Sequence, residues 1–301
     1  MLIALQLGGS IFHLIEPMDY PLLAWPIHPF DEFLAPPNIP PDFQIDVTVV
    51  PHLPELETGP LRFDAGLGHW KIFESDAGFV IESLSPVLLQ PRARALVSHD
   101  YRTIHAWVLP EMHLGQVGWS PMHLFNPIVE VCLLARLALD GGLLLHAAGL
   151  TIQEEGYIFT GNSGTGKSTI AQFFAERGAL VLSDERLIIR KIADDVLFYG
   201  TPWVGSGNYA HNAQAPLTQL YCISHGVKQH AISPLSPRAV SQELLRQCFL
   251  PLWNRDALEA TLATVTDLVQ QIHCRALAAL KSPDVVDVVL SQRRLSVIGL
   301  R

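Results

Sequence analysis

The chain has 301 residues, of which 49% are hydrophobic and 16% charged, so it can bury a sizeable core and lacks the composition of a disordered protein. Its 29 acidic and 20 basic residues give a formal net charge of −9. No Lys/Arg block interrupts this acidic balance, so we expect neither nucleic-acid binding nor binding to a membrane surface.

Cysteine spacing and hydropathy predict the cellular compartment of the protein. Cys132, Cys222, Cys248 and Cys274 have no Cys-x-x-Cys spacing, which favours buried thiols over a zinc site and fits a cytoplasmic protein. No run of about 18 uncharged apolar residues occurs, so no membrane span is expected. The start, "MLIALQLGGSIFHL", lacks the basic region and cleavage site of a signal peptide, and we interpret it as one strand.

Residues 1–122 are predicted to form a β-rich domain. Stretches rich in β-branched and aromatic residues at 45–50, 69–83 and 93–110 predict strands. The "SDAG" at 75–78 predicts a hairpin turn. The "APPNIPP" at 35–41 predicts an irregular connector, because proline lacks the N–H that regular structure needs.

Residues 123–301 are predicted to form an α/β nucleotide-binding domain with a helical C-terminus. It opens with a helix at 126–142, for which Asn126 would be the N-cap and Gly141 the stop. Strands are then predicted at 143–152, 156–161, 179–184, 187–192, 196–200 and 217–224. Helices are predicted at 167–178, 236–249, around 255–280 and at 282–292.

A phosphate-binding motif lies between the second of these strands and the helix at 167–178. The stretch "GNSGTGKS" at 161–168 matches G-x-x-x-x-G-K-[ST] at every fixed position. Glycines let the backbone N–H groups approach a polyphosphate, and the helix N-terminus favours the same anion. Lys167 would contact the β- and γ-phosphates of ATP, and the Ser168 hydroxyl would bind Mg²⁺. The predicted nucleotide-binding residues are Gly161, Asn162, Ser163, Gly164, Thr165, Gly166, Lys167, Ser168 and Thr169.

Two carboxylates follow the next predicted strand. Asp184 and Glu185 could divide the work, one binding Mg²⁺ and the other accepting a proton from an attacking hydroxyl. The alternative is a solvated turn. His146 lies on the strand before the motif, and we predict that it orients the acidic pair rather than serving only as a core histidine.

A long Gly-, Asn- and Pro-rich loop at 199–217 is the third candidate region. It could contact nucleotide or substrate, or be a surface excursion packed by Trp203. Its candidate ligands are Thr201, Gly205, Asn208, His211 and Asn212.

The order "HAAG" (146–149), "GNSGTGKST" (161–169), "LSDERLIIR" (182–190), "GTPWVG" (200–205) and "APL" (215–217) resembles the HPr serine kinase-related family, particularly its kinase-only relatives. The resemblance covers about 143–290. It implies a phosphate-loop core resembling phosphoenolpyruvate carboxykinase and ATP/Mg²⁺-dependent transfer to a serine hydroxyl. Asp184 then corresponds to the first residue of the family's Asp-Asp pair, its base, and homo-oligomers become plausible.

Two departures from the family pattern narrow this expectation. Glu185 stands where the family has a second Asp, which changes the reach of the proposed metal ligand. The family's "RGLGI"-like signature is replaced by "GTPWVGSGNYAHN", so neither phosphorylase activity nor HPr itself as substrate is expected.

Three functions therefore stay open. The first is an ATP/Mg²⁺-dependent kinase of a serine in a protein or peptide, with Asp184, His146 and Lys167 as catalytic residues and Ser168, Asp184 and Glu185 as metal ligands. The β-rich domain would then bind or present the acceptor. The second is a kinase of an amino-acid-like small molecule, and the third is a non-catalytic nucleotide-binding regulatory module.

Overall fold

The protein is a mixed α/β structure with two large sheets. The computed structural model describes residues 2–17, 19–23, 25, 27–66, 69–85, 90–225 and 228–298. The chain divides into two compact units, one of Met1–Asp140 and Leu250–Ala260, the other of Gly141–Phe249 and Thr261–Arg301. Compact units and domains need not coincide, so the predicted boundary at 122/123 stays a prediction.

The first unit is built mainly of strands. They are β1 (Leu2–Leu7), β2 (Ser10–Ile15), β3 (Phe43–Val49), β4 (Leu61–Asp64), β5 (Trp70–Ser75), β6 (Gly78–Leu84), β7 (Pro91–Ser98), β8 (Thr103–Val108), β9 (Glu111–His113) and β10 (Gln116–Gly118). Eight of them form one sheet in the order β1-β2-β3-β8-β7-β6-β5-β4, and β9 pairs with β10. The predicted turn at 75–78 is confirmed, because β5 and β6 pair through Ser75 and Gly78.

Two predictions in this unit need correction. The first residues form the hairpin β1–β2 rather than one strand, because Gly8 and Gly9 take positive φ angles of 57° and 83° and reverse the chain. The regular helix α1 spans Glu130–Leu139, so it begins later than predicted. A π-helical segment, Leu124–Val129, precedes it and is interrupted by the extended backbone of Asn126. Gly141, with φ 75°, follows the end of α1 as expected.

Aromatic packing holds the segment Leu250–Ala260 in the first unit. The Trp253 ring lies edge-on to that of Trp70, with centroids 5.5 Å apart. Asn254 Nδ2 donates a 2.9 Å hydrogen bond to the hydroxyl of Tyr101, which is fully buried and stacks on Phe79. Burial raises the pKa of that Tyr101 hydroxyl. The hydroxyl is therefore a neutral, structural group.

The second unit alternates strands and helices. Its strands are β11 (Gly142–Ile152), β12 (Glu155–Thr160), β13 (Leu180–Ser183), β14 (Arg186–Ile192), β15 (Asp195–Tyr199), β16 (Gln214–Ser224), β17 (Ala231–Pro234) and β18 (Cys274–Ala278). Its helices are α2 (Lys167–Ala175), α3 (Pro237–Gln247), α4 (Arg255–Gln271) and α5 (Val285–Ile298), and the first six residues of α4 belong to the first unit. The helix predicted around 255–280 is wrong in its last part, because 274–278 is strand β18.

The hydrogen-bonded ladder of this unit closes on itself. The order is β12-β11-β14-β15-β16-β18-β17, β13 pairs with β11, and β16 also pairs with β12. The 11-residue strands β11 and β16 make this possible, because each pairs with different neighbours along its two halves. Parallel pairing of β12, β16 and β18 brings their carboxyl ends to one edge.

Side chains that alternate along β11, β12 and β16 build two apolar cores. One contains Ala148, Phe159 and Tyr221 and receives α2 through Ile170 and Phe174. The other contains Ala147, Ile158 and Leu220 and receives α3 and α4 through Val240, Leu244, Val265 and Leu268. Because successive side chains of a strand point to opposite faces of the sheet, both faces of these strands are buried under helices. No helix within the described ranges is both long and apolar enough to cross a bilayer.

Candidate functional site

A glycine-rich turn connects β12 to α2, and we call residues 161–168 the glycine turn. Gly161, Gly164 and Gly166 have φ angles of 153°, 81° and 93°, which side chains disfavour. A Cβ on Gly161 would also lie 3.0 Å from the carbonyl oxygen of Ile223 on β16. Glycine is therefore required here both by backbone conformation and by the close approach of β16.

The start of α2 is arranged like an anion site. Gly166 precedes the helix in a left-handed conformation, and no side chain among the described residues caps that end. The first N–H groups of a helix have no intrahelical acceptor, and the helix dipole places positive charge there. Ser168 and Thr169 lie half-buried in this first turn, whereas Asn162 and Ser163 are exposed.

The Lys167 side chain folds back onto the glycine turn. Its Nζ donates to the carbonyl oxygen of Gly161 at 2.9 Å and of Asn162 at 3.4 Å, and the residue is only 6% exposed. Burial lowers the pKa of Lys167, while the carboxylates of Glu185, Asp184 and Glu243 oppose that shift. Lys167 and the N–H groups at the start of α2 therefore place positive charge at the turn, which the nearby carboxylates partly balance.

The two neighbouring carboxylates lie in different surroundings. Asp184 is 1% exposed, and its Oδ1 accepts hydrogen bonds from the N–H groups of Gly205 (3.0 Å) and Tyr209 (3.3 Å). Its Oδ2 accepts from the Gly207 N–H at 2.7 Å. Both oxygens of Asp184 are therefore occupied in holding the loop at 205–209.

Glu185 is the carboxylate that meets the histidine. Its Oε1 lies 3.3 Å from His146 Nδ1, and both side chains are partly exposed, at 32% and 23%. The backbone supports the pair, because the Ala147 N–H donates to the Glu185 carbonyl at 3.1 Å. Burial first, and then the Lys167 charge, lower the pKa of His146 against the opposing effect of Glu185.

Ser183 and Thr201 hold the chain at this turn. The fully buried Ser183 Oγ accepts from the N–H groups of Glu185 (3.3 Å) and Arg186 (3.2 Å). Thr201 Oγ1 donates to the Arg186 carbonyl at 2.8 Å. A short hydroxyl at 183 thus turns the chain so that 184 points inward and 185 outward.

Two of the other loop candidates, His211 and Asn208, also hold the loop in place. The ring atom Nδ1 of His211 lies 2.7 Å from the Val181 carbonyl oxygen. The backbone N–H of His211 donates to the Leu182 carbonyl oxygen. Asn208 has a φ of 56°, and its N–H donates to Gly205. Asn212 is exposed. The loop is therefore fastened to β13 and Asp184.

Sequence reasoning missed Gln247 and Arg186. Gln247 on α3 is 6% exposed and donates from Nε2 to Asn162 Oδ1 at 3.1 Å, which supports the glycine turn. The Arg186 guanidinium lies over the rings of Phe249 (5.1 Å) and Trp203 (5.8 Å). Gln247 lies in no motif, and its partner Asn162 is 85 residues away; Arg186 lies within the quoted stretch 182–190, but its partners Trp203 and Phe249, 17 and 63 residues on, were not predicted.

The donor set near the turn suits a hard cation held partly by phosphate. Within the described ranges, no three His, Cys, Asp or Glu side chains cluster as a metal site. The Ser168 hydroxyl and a carboxylate are oxygen donors of the kind Mg²⁺ takes, and this ion keeps water and phosphate oxygens for its other positions. The residues present fit such an ion.

No family model and no curated protein matches this sequence. Among the solved structures, the chain is distantly similar to the Hpr(Ser) kinase/phosphatase from Coxiella burnetii, with 13% identity and a TM-score of 0.32. The match covers 52% of this chain and 99% of that one. We draw no functional conclusion from a likeness this low.

Proposed function

We propose that the second unit is an ATP/Mg²⁺-dependent phosphotransferase with a phosphate-loop core, acting on a serine hydroxyl of a protein or peptide. The observation that carries the proposal is the junction of β12 and α2. There, three glycines in positive-φ conformations, a buried Lys167 and a helix start that no described side chain caps occur together, beside the pair His146–Glu185. The sequence resemblance to the HPr serine kinase-related family agrees with this chemistry.

The glycine turn would hold the triphosphate. N–H groups at the start of α2 would bind phosphate oxygens, and Lys167 would exchange its hydrogen bonds to Gly161 and Asn162 for the β- and γ-phosphates. The Ser168 hydroxyl would hold Mg²⁺ together with phosphate oxygens and water, and the ion when bound neutralises phosphate charge. Fixed donors of this kind stabilise the charge of the transferring group.

Glu185 is better placed than Asp184 to receive the proton. The substrate hydroxyl oxygen would bond to the γ-phosphorus as the bridging oxygen leaves with ADP, and the hydroxyl proton would pass to the Glu185 carboxylate. His146, near Glu185 Oε1, would orient that carboxylate. Asp184, the base predicted from sequence, would keep the loop at 205–209 in place.

Partial exposure of the pair supports a macromolecular acceptor. Both His146 and Glu185 are accessible at the surface of the unit, so a hydroxyl on an extended chain can approach them. An amino-acid-like small molecule would need an enclosed pocket at this position. We therefore place the small-molecule acceptor second.

Phosphate transfer from γ-labelled ATP tests the proposal. Purified protein with Mg²⁺ is incubated with serine-containing peptides or with free hydroxy amino acids, and Lys167→Ala is the comparison. We expect label on peptide serine and a loss of about a thousandfold or more in Lys167→Ala. Label on free amino acids alone would favour the small-molecule kinase.

A non-catalytic nucleotide-binding module is the other candidate. The observation favouring it is that Asp184 uses both oxygens within the fold, so the chemistry would depend on Glu185 alone. Nucleotide binding that Lys167→Ala abolishes, with no transfer and no ATP hydrolysis by the wild type, would establish this candidate instead.

A further inference from the structure

Two cysteines from distant parts of the chain meet in the second unit. Cys222 lies on β16 and Cys274 on β18, and their Sγ atoms are 3.6 Å apart. In the parallel pairing of these strands, Cys274 lies opposite Leu220, and Leu220 is two residues before Cys222. Side chains two residues apart on a strand share a face of the sheet, so the two thiols lie side by side on one face.

This pair of thiols is more accessible than the sequence suggests. The sequence favours buried thiols, but Cys222 and Cys274 are only partly buried. Burial raises the pKa of the Cys132 thiol and raises that of Cys248 to about 12, so these two stay protonated at neutral pH. A small oxidant can therefore reach the pair at 222 and 274, where a second sulfur is already in place.

Cys222 lies directly behind the glycine turn. It is the partner of Thr160 in the pairing of β16 with β12, and Thr160 is the residue before Gly161. The next residue of β16, Ile223, has its carbonyl oxygen 3.0 Å from the position of a Cβ on Gly161. The position of β16 therefore determines where the glycine turn begins.

Helix α3 also connects the surroundings of the thiols with the glycine turn. The charge of Glu243 contributes to the raised pKa of Cys222 and opposes the lowered pKa of Lys167. Gln247, one turn further along α3, donates from Nε2 to Glu243 Oε1 at 3.3 Å and to Asn162 Oδ1 at 3.1 Å. A change at Cys222 thus has two routes to the turn, one through β16 and one through α3.

We infer that Cys222 and Cys274 form a reversible disulfide when peroxide oxidises them, and that this bond weakens phosphate binding at the glycine turn. The inference rests on the proposed function, because it describes the regulation of that same site. An S–S bond is about 2.0 Å long, so its formation draws β16 toward β18 and away from β12. The close approach of Ile223 to Gly161, which fixes the start of the turn, then changes.

The oxidation consumes one molecule of peroxide for each disulfide. The hydrogen bond to Cys274 and burial raise the pKa of the Cys222 thiol, so we assign the first attack to Cys274. The Cys274 thiolate attacks one oxygen of hydrogen peroxide, the O–O bond breaks, and hydroxide leaves as Cys274 becomes a sulfenic acid. The Cys222 sulfur then loses its proton and attacks the Cys274 sulfur, and the sulfenic hydroxyl leaves as water. The two thiols are oxidised by two electrons in all, and peroxide is reduced to water.

Oxidation of the unaltered protein tests the bond and its effect separately. Reduced wild type is treated with hydrogen peroxide, catalase removes the excess, and the remaining thiols are alkylated before digestion and mass spectrometry. We expect peptides joined through Cys222 and Cys274. Calorimetry then measures ATP binding, with Mg²⁺, to the reduced, oxidised and dithiothreitol-treated protein. The oxidised form should bind ATP about fivefold or more weakly, and dithiothreitol should restore the affinity.

Cysteine variants identify the thiols responsible. Cys222→Ser and Cys274→Ser should bind ATP with the same affinity before and after peroxide, since neither can form the bond. Cys248→Ser is the matched control, because it removes a third thiol of the same unit and should respond to peroxide as the wild type does. A loss of affinity in peroxide-treated Cys222→Ser equal to that of the wild type would overturn the inference.

Thermodynamic linkage provides a test that needs no variant. If the disulfide weakens ATP binding by a given factor, bound ATP must make the disulfide easier to reduce by the same factor. In a glutathione redox buffer, saturating MgATP should therefore shift the pair toward the two free thiols. An oxidised fraction that is the same with and without ATP would contradict the inferred coupling.

The outcomes distinguish this inference from the function on which it rests. A disulfide that leaves ATP affinity unchanged, or peroxide treatment that does not join Cys222 to Cys274, would overturn the inference and keep the proposed function. A reduced wild type that binds no ATP would overturn the proposed function and its regulation together.

Discussion

The two units are each built around an eight-stranded sheet, but they differ in the kind of polar side chain that they bury. In the first unit, the buried hydroxyl groups of the described residues belong to the uncharged Ser10, Ser83, Ser85 and Tyr101, and no described charged side chain is as deeply buried as Lys167. In the second, Lys167 and Asp184 are buried at 6% and 1% exposure.

Burying an ion costs free energy unless hydrogen bonds and opposite charges compensate it. The second unit supplies that compensation: loop N–H groups donate to Asp184, two backbone carbonyls accept from Lys167, and the charges of nearby carboxylates oppose the fall in the Lys167 pKa. The size of a sheet therefore indicates little about activity. A buried charged side chain that is stabilised by hydrogen bonds and opposite charges indicates a candidate functional site.

The largest expected effects separate the paired carboxylates. Glu185→Gln should lower phosphate transfer about 10²- to 10⁴-fold with little change in melting temperature, because it removes a proton acceptor from a partly exposed position. Asp184→Asn should lower the free energy of unfolding by about 2–4 kcal/mol, because it leaves buried N–H groups poorly paired. Transfer assays and urea denaturation followed by circular dichroism measure the two effects.

Glu82→Gln in the first unit is the matched control for this pair. Glu82 forms an ion pair with Arg94, and both side chains are largely covered. We expect a loss of about 1 kcal/mol and unchanged transfer. If Asp184→Asn instead abolished transfer at full stability, Asp184 would be the base and Glu185 the supporting group.

The next comparison between the units replaces one glycine by alanine in each of them. A Cβ on Gly205 would lie 2.8 Å from Asp184 Oδ2 and 3.1 Å from Glu185 Oε2. We expect Gly205→Ala to lower the free energy of unfolding by about 1–3 kcal/mol and to reduce transfer, because the loop must move off the carboxylates. Urea denaturation and transfer assays measure this.

Gly59→Ala in the first unit is its counterpart. The added Cβ would lie 3.2 Å from the Glu74 Cβ, a milder approach, and we expect a loss of less than about 1 kcal/mol. Equal losses at Gly59 and Gly205 would mean that the loop at 205–209 tolerates displacement and does not depend on contact with Asp184.

A smaller effect concerns pH. Burial lowers the pKa of His146 below its ordinary value of about 6.5, so the unfolded chain takes up the proton first as pH falls. The contribution of neutral His146 to stability is complete above about pH 6.5 and is lost as pH falls toward the lower folded pKa. His146→Gln should therefore lose less stability than the wild type between pH 7.5 and pH 5.5, measured by urea denaturation. A steeper loss in the variant would show that His146 is held as a cation.

The smallest expected effect is a gain in the first unit. Leu114 and Gly115 form the turn between β9 and β10 with φ angles of 49° and 81°, and Leu114 is 94% exposed. Leu114→Asn should raise the free energy of unfolding by about 0.5 kcal/mol, because Asn tolerates a positive φ better than Leu. Thermal unfolding measures the gain, and ATP affinity should not change. A decrease in stability would show that the Leu114 side chain makes contacts worth more than the backbone strain.

Local signals were enough to predict much of the second unit. The glycines of the turn and Gly178, with φ 85° after α2, mark the limits of that helix in the sequence as in the structure. Strand β18 was missed because its residues follow α4 without a turn signal strong enough to end the predicted helix. Its strand character comes from pairing with β16 and β17.

Sequence alone determined the glycine turn, the strand before it and the helix after it, since backbone dihedrals and hydrophobic period are local properties. It also placed Asp184 and Glu185 side by side at the end of β13. Only the tertiary structure decided that Asp184 turns inward to the loop at 205–209 while Glu185 meets His146. Those contacts span 21 and 39 residues of chain, and the free energy that selects them exists only after β11, β13 and the loop have come together.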